Sequence, residues 1–128
     1  MKTFTAKTLS GVSLACLMAA SFHATADEAM VAAGQAIFAQ RCHACHSEDP
    51  SKNTFGPQLN GVYERKAASL PRFAYSQALK DSGLVWSEEN LRLWIESNDT
   101  LVPNTRMRHV AITDRAEQDY LLAFLKSL

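Results

Sequence analysis

The five residues Cys42-His43-Ala44-Cys45-His46 constrain this chain more than any other stretch of it. The sequence holds three cysteines, and two of them stand here, three positions apart, with a histidine directly after the second. Cysteine and histidine at this spacing bind a metal, run thiol–disulfide chemistry, or attach a cofactor. The fold must therefore be one that delivers a short, reactive turn to a site. Which chemistry it serves depends on what surrounds the turn.

The third cysteine, Cys16, lies in a segment of different character. Lys2 and Lys7 are followed by an apolar run from Leu9 to Ala20 and then by Ala24-Thr25-Ala26, the small-residue pattern of a signal-peptidase site. The run falls short of the about 20 apolar residues that span a bilayer, so residues 1–26 read as a cleaved secretory signal rather than a retained anchor. An acylated Cys16 would need Leu three residues earlier, where the chain has Ser13. The expected working unit is a single domain over residues 27–128, and its only cysteines are Cys42 and Cys45. Losing Lys2 and Lys7 takes the 13 basic residues to 11 against 13 acidic ones. No basic stripe exists to neutralise phosphates, which excludes an electrostatic case for nucleic acid.

Periodicity points to helices. Met30, Gly34, Ile37 and Phe38 recur at helical spacing between Ala29 and Gln40, and this helix runs directly into the cysteine cluster. The turn-rich "SEDPSKNTFGPQLNG" reads as a long ordered loop of the kind that serves a site. Ser76 caps a short helix through Asp81, with Gly83 after its end. Ser87 caps a longer helix with Glu88 and Glu89 in its first turn and Leu91, Trp94 and Ile95 as its apolar stripe. The last helix begins near Thr113 and carries Leu121, Phe124, Leu125 and Leu128 at i, i+3, i+4, i+7. No segment alternates with period two, so the predicted class is all-α: about four short helices and long loops. So small a core would be thickened by a large apolar cofactor.

A structural zinc site needs four ligands, and beyond the cluster's two cysteines and His46 the unit offers only His43 and His109. A thioredoxin-like redox pair expects a preceding strand, where this chain has a helix. A plain structural disulfide is the third alternative. The fourth reading is covalent haem: two thiols at this spacing add across the two vinyl groups on one porphyrin edge, and the following histidine is carried to the iron. Export agrees with it, because such attachment takes place outside the bacterial cytoplasm. The opposite iron face then needs filling. A thioether suits an iron that must stay bound in two oxidation states. Met30, on an amphipathic helix, reads as core; Met107, in the polar "VPNTRMRHV", reads as the ligand, with His109 or a vacant face as alternatives.

The stretches "GQAIFAQRCHACH", "FGPQLNGVYERKA", "FAYSQALKDSGLVWSEENLRLWI", "VPNTRM" and "YLLAFLKSL", in that order, resemble the class I c-type cytochromes, especially mitochondrial cytochrome c and its close bacterial relatives. The resemblance runs from Gly34 almost to the C-terminus. It implies that Gly34 and Phe38 cross Phe124, and that the Pro57 carbonyl receives the far nitrogen of His46 and fixes its tautomer. It also implies that Arg65, Tyr75, Trp86 and Thr105 hold the haem propionates, which are costly to bury without donors.

The chain departs from the family at several positions. Trp94 stands where relatives usually place a tyrosine whose hydroxyl reaches the methionine sulfur, so the resemblance leaves that hydrogen bond unassigned. Leu79 occupies the place of an asparagine in a buried water network. Asn98 and Asn104 replace a proline and a glycine beside the ligand loop, where asparagine tolerates left-handed backbone. His109 replaces an aromatic shield of the haem edge. The family's ring of docking lysines is thinned to Lys66, Arg72, Lys80, Arg106 and Arg108.

The reading is a periplasmic, single-haem, monomeric electron carrier of a Gram-negative bacterium, not an enzyme. Its donor would be a dehydrogenase or quinol-oxidising complex and its acceptor a terminal oxidase or reductase. The alternatives are a haem enzyme or gas sensor with an open or labile Met107 face, in which His109 acts as acid or base, and a cytochrome subunit of one larger enzyme.

Overall fold

A computed structural model describes residues 25–49, 51–52 and 54–128. Residues 1–24 of the expected signal segment, with Lys2, Lys7 and Cys16, lie outside them, whereas its last two residues, Thr25 and Ala26, are described. Four helices follow one another among the described residues: α1 (Ala26–Arg41), α2 (Gln77–Asp81), α3 (Glu88–Leu101) and α4 (Arg115–Ser127). No strand is present there, only an isolated antiparallel bridge between Lys66 and Val85, so the all-α expectation holds.

Each helix starts where a side chain can satisfy its free N–H groups. Thr25 accepts from the Glu28 N–H while the Glu28 carboxylate accepts from the Thr25 N–H at 2.8 Å, a reciprocal capping box. The box starts α1 at Ala26 rather than at the expected Ala29. Ser76 and Ser87 cap α2 and α3 as expected, and Asp114 caps α4 one residue after the expected Thr113.

α1 and α4 cross over Gly34. A Cβ there would overlap the Tyr120 carbonyl oxygen and stand 2.7 Å from the Phe124 Cβ, so only glycine lets the two backbones approach this closely. Phe38, fully buried, meets Phe124 one helical turn on, with ring centroids 5.2 Å apart. Leu91, Trp94 and Ile95 of α3 and Leu121, Phe124 and Leu125 of α4 are buried as their periodicity predicts, and Leu122 joins them. Met30 departs from its core reading: it is half-buried and lines a surface groove with Asp27, Arg92, Leu122 and Lys126.

A buried cation ties α3 to α4. Arg92 meets Asp119 at 2.7 Å, Glu88 at 3.3 Å and the Gln118 side-chain oxygen at 3.3 Å, and Gln118 donates in turn to the Ile112 carbonyl at 2.8 Å. Periodicity alone does not reveal this network, because Arg92 and Gln118 are polar residues on inward-facing positions. Apart from the short α2, the described residues between α1 and α3 run in turns and loops, and these carry half of the site.

Candidate functional site

The cysteine cluster continues α1 as a tight coil. Cys42 and His43 both donate to the Phe38 carbonyl, at 2.8 and 2.9 Å, and Cys45 and His46 both donate to the Cys42 carbonyl, at 3.0 and 2.9 Å. This winding brings the two thiols and the imidazole onto a single turn. Both cysteines are free thiols; Cys45 is exposed and Cys42 half-buried. Burial pushes the Cys42 thiol up to about 11, against the opposing charge of Arg41 and with a smaller push from Cys45, so it stays protonated near neutral pH.

His46 is buried, and its Nδ1 lies 2.8 Å from the Pro57 carbonyl oxygen. A carbonyl only accepts, so Nδ1–H donates and the lone pair of Nε2 is left free. Burial lowers the imidazole's pKa and the Pro57 bond opposes it; a neutral ring is the form that ligates. Gly56 closes the arrangement. Its N–H donates to the Cys45 carbonyl at 2.7 Å, and a Cβ on it would press into the His46 ring, 2.6 Å from Nδ1. The glycine before Pro57 is a signal the sequence carries but periodicity does not weigh.

Met107 is held from the other side. The Trp94 indole N–H donates to its sulfur at 3.1 Å, supplying from a different ring the hydrogen bond that the tyrosine-to-tryptophan departure left unassigned. The Met107 carbonyl accepts from the Asn98 side-chain amide at 2.8 Å and from Arg108 at 3.0 Å. Arg108 also reaches the Thr105 carbonyl at 2.8 Å and Asp99 at 3.1 Å. Of the two asparagines expected to ease left-handed backbone, Asn104 does so at φ 66°, whereas Asn98 is absent from the positive-φ residues and acts through its side chain. His109 donates from Nε2 to the Ile95 carbonyl at 2.9 Å, and its buried Nδ1 has no partner.

Aromatic residues pack around Trp94 and Met107. Trp86 stands edge-on to Trp94, centroids 5.0 Å apart at 71°, and Met107, Tyr75, Leu59 and Cys42 pack against the same core. Thr105 is buried. Arg65 is turned onto backbone, donating to the Asn60 carbonyl at 2.9 Å and the Gln58 carbonyl at 3.2 Å. Burial lowers its pKa against Tyr75, and burial raises that of Tyr75 against Arg65. The neighbouring Asn60 side-chain oxygen is buried without a donor. All five expected surface cations, Lys66, Arg72, Lys80, Arg106 and Arg108, are exposed; Arg106 donates to the Ala74 carbonyl, and Arg108 braces the loop that carries Met107.

This donor set fits a haem. Two unpaired thiols share a turn, a neutral imidazole keeps a bare Nε2, a thioether is oriented by an indole, and aromatic rings supply a dry wall. Among the described residues no three histidine, cysteine or carboxylate side chains converge to hold a metal ion, so the cluster lacks the company that zinc needs.

Comparison with known proteins agrees with the geometry. The family model described as Cytochrome c matches residues 31–128. Cytochrome c2 of Rhodoblastus acidophilus is 43% identical over 94 residues, covering 73% of this chain and 87% of that protein. Cytochrome c of Euglena viridis is 35% identical over 95 residues, covering 74% and 93%. Among solved structures, cytochrome cH from Methylobacterium extorquens superposes with a TM-score of 0.70 at 39% identity, covering 77% of this chain and 98% of that one. The chain belongs to the class I c-type cytochromes and is an electron carrier with one covalently attached haem c.

Proposed function

We propose that this protein is a periplasmic single-electron carrier in which Cys42 and Cys45 anchor the haem and His46 and Met107 are the axial ligands. The observation that carries the ligand assignment is that each donor atom is aimed by a partner on its own residue: Pro57 fixes His46 through Nδ1 and leaves Nε2 free, and Trp94 and Asn98 fix Met107 at sulfur and carbonyl. Bound haem supplies reversible one-electron chemistry at iron. The chain holds both donor atoms still, keeps His46 neutral by burial, and excludes water with Trp86, Trp94 and Thr105. Arg65, Tyr75, Trp86 and Thr105 are the propionate-facing set in this reading. A thioether ligand raises the potential, which suits exchange between a dehydrogenase or quinol-oxidising donor and a terminal oxidase or reductase.

Export rests on the signal-like residues 1–26. No helix among the described residues is long and apolar enough to cross a membrane. Cleavage after Ala26 removes the Thr25 cap and leaves Asp27 and Glu28 to complement the N-terminus of α1. Intact mass and N-terminal sequencing of the periplasmic protein check this, and a chain retaining Met1 or an acylated Cys16 sinks it.

The ligand assignment is tested on the purified ferric protein. It should show the weak near-infrared charge-transfer band of sulfur-to-iron ligation, and Met107→Ala should lose that band while gaining carbon monoxide binding in the ferrous state. Rapid, stoichiometric carbon monoxide binding by the unmutated protein would point to a sensor or enzyme instead of a carrier. Acid acetone should leave the colour on the polypeptide, and Cys42→Ser should lose one thioether link.

A further inference from the structure

Helix α3 breaks at Ser97, whose backbone is extended at φ −160° and ψ 85°. A new turn begins immediately: the Ser97 hydroxyl pairs with that of Thr100 at 2.7 Å, and Val102 N–H donates to the Asn98 carbonyl at 2.8 Å. Asn98 is thereby carried inward and is only 6% exposed. Its amide has a fixed orientation, because the side-chain oxygen accepts from the Asp99 N–H at 3.0 Å while the nitrogen donates to the Met107 carbonyl at 2.8 Å. Trp94 and Asn98, four residues apart on either side of the break, thus hold the same residue at two atoms, sulfur and carbonyl.

We propose that Asn98 is a positioning residue: it pins the main chain of Met107 so that the sulfur stays where the Trp94 N–H meets it. This rests on the reading of Met107 as the axial ligand. The other donor to that carbonyl, Arg108, has an exposed side chain, so water competes for its bond, whereas the Asn98 bond is sheltered and worth more. Losing Asn98 leaves the loop attached but lets Met107 leave iron more often.

Imidazole binding to the intact ferric haem protein reads this directly, because at saturating imidazole the rate is limited by departure of the sulfur. Asn98→Leu, which fills the volume without a donor, should raise that limiting rate about three- to tenfold. Asn98→Asp, nearly isosteric, sets a carboxylate oxygen against the carbonyl and should raise it further; it decides the matter if the leucine variant does not accumulate. Both should keep the near-infrared sulfur band at neutral pH. Limiting rates within twofold of the unmutated protein overturn the proposal, as does an equal rise in Leu122→Ala, which weakens the α4 core away from the loop. Absence of the sulfur band from the unmutated protein overturns the ligand reading itself, a result distinguishable from failure of the clamp alone.

Discussion

The two faces of the site are built from different materials. On the His46 side nearly every constraint is a backbone atom: the Phe38, Cys42, Cys45 and Pro57 carbonyls, and the N–H of Gly56. On the Met107 side the constraints are side chains: an indole, a primary amide and a guanidinium. Backbone partners survive any substitution that keeps the turn, whereas side-chain partners are lost one residue at a time. The imidazole face is therefore all-or-none, and the thioether face is adjustable in steps. In the proposed ligation, displacement should begin on the sulfur side.

The sharpest way to break this contrast is to attack the His46 face where it has no slack. Gly56→Ala sets a methyl group into the imidazole ring and against the Cys45 carbonyl, and neither wall is a flexible side-chain end. The variant should lose about 3 kcal/mol or more of stability in guanidinium unfolding, typical of overpacking at a rigid site, and should show a disturbed low-spin spectrum. A variant as stable as the parent would mean that the turn has room, and the all-or-none description would fall.

The difference between the faces also explains what the sequence made legible. Cys42, Cys45 and His46 lie within one turn, so spacing alone exposes their joint chemistry, and the helices around them follow from caps and apolar stripes. The Met107 face is assembled by contacts spanning 9 to 13 residues, and nothing in the period of α3 announces that it breaks at Ser97. That is why Asn98 reads as a residue tolerant of unusual backbone when its function in the fold is a hydrogen bond. Met30 is the opposite case: its periodicity is helical, but it sits near the start of α1, where the core has already ended and a groove begins. Arg92 and Gln118 stayed hidden because a paired buried charge has no signature in a one-dimensional pattern.

On the adjustable face, loss of the Trp94 donor should be a large step. Trp94→Phe keeps an aromatic ring against Trp86 and removes the donor to sulfur. A lost hydrogen bond of about 1 kcal/mol, with some loss of packing, should speed imidazole entry to the ferric protein roughly tenfold, while Trp94→Tyr recovers part of the effect through its hydroxyl. An unchanged rate in the phenylalanine variant would remove the indole from the account of the sulfur face.

Asn104 should matter less. At φ 66° it holds a backbone conformation that glycine adopts freely and alanine resists. Asn104→Ala should cost about 1 kcal/mol in thermal unfolding and loosen the sulfur face slightly, whereas Asn104→Gly should be close to neutral. If both behave alike, the loop does not depend on that conformation.

The smallest effect belongs to a residue outside the contacts that hold His46 and Met107, and it serves as the control. Glu88, at the start of α3, is held below its ordinary pKa of 4.5 first by a hydrogen bond from Lys126 and by that cation's charge, with burial opposing them and Arg92 adding a smaller downward push. A carboxylate whose folded pKa is depressed stabilises the protein above its unfolded pKa, and that contribution fades as pH falls from there through the folded value. The side chain is half exposed, so solvent and salt screen the pair and its worth should stay below about 0.5 kcal/mol. Glu88→Gln should accordingly lower the melting temperature slightly at pH 7, and the gap from the parent should close near pH 3 and shrink at 1 M salt. The near-infrared sulfur band and the imidazole entry rate should not move at all. A change in either would show that the α3–α4 ion network is coupled to the Met107 loop through the length of α3, and the sulfur face would then be tunable from a surface charge as well as from Trp94 and Asn98.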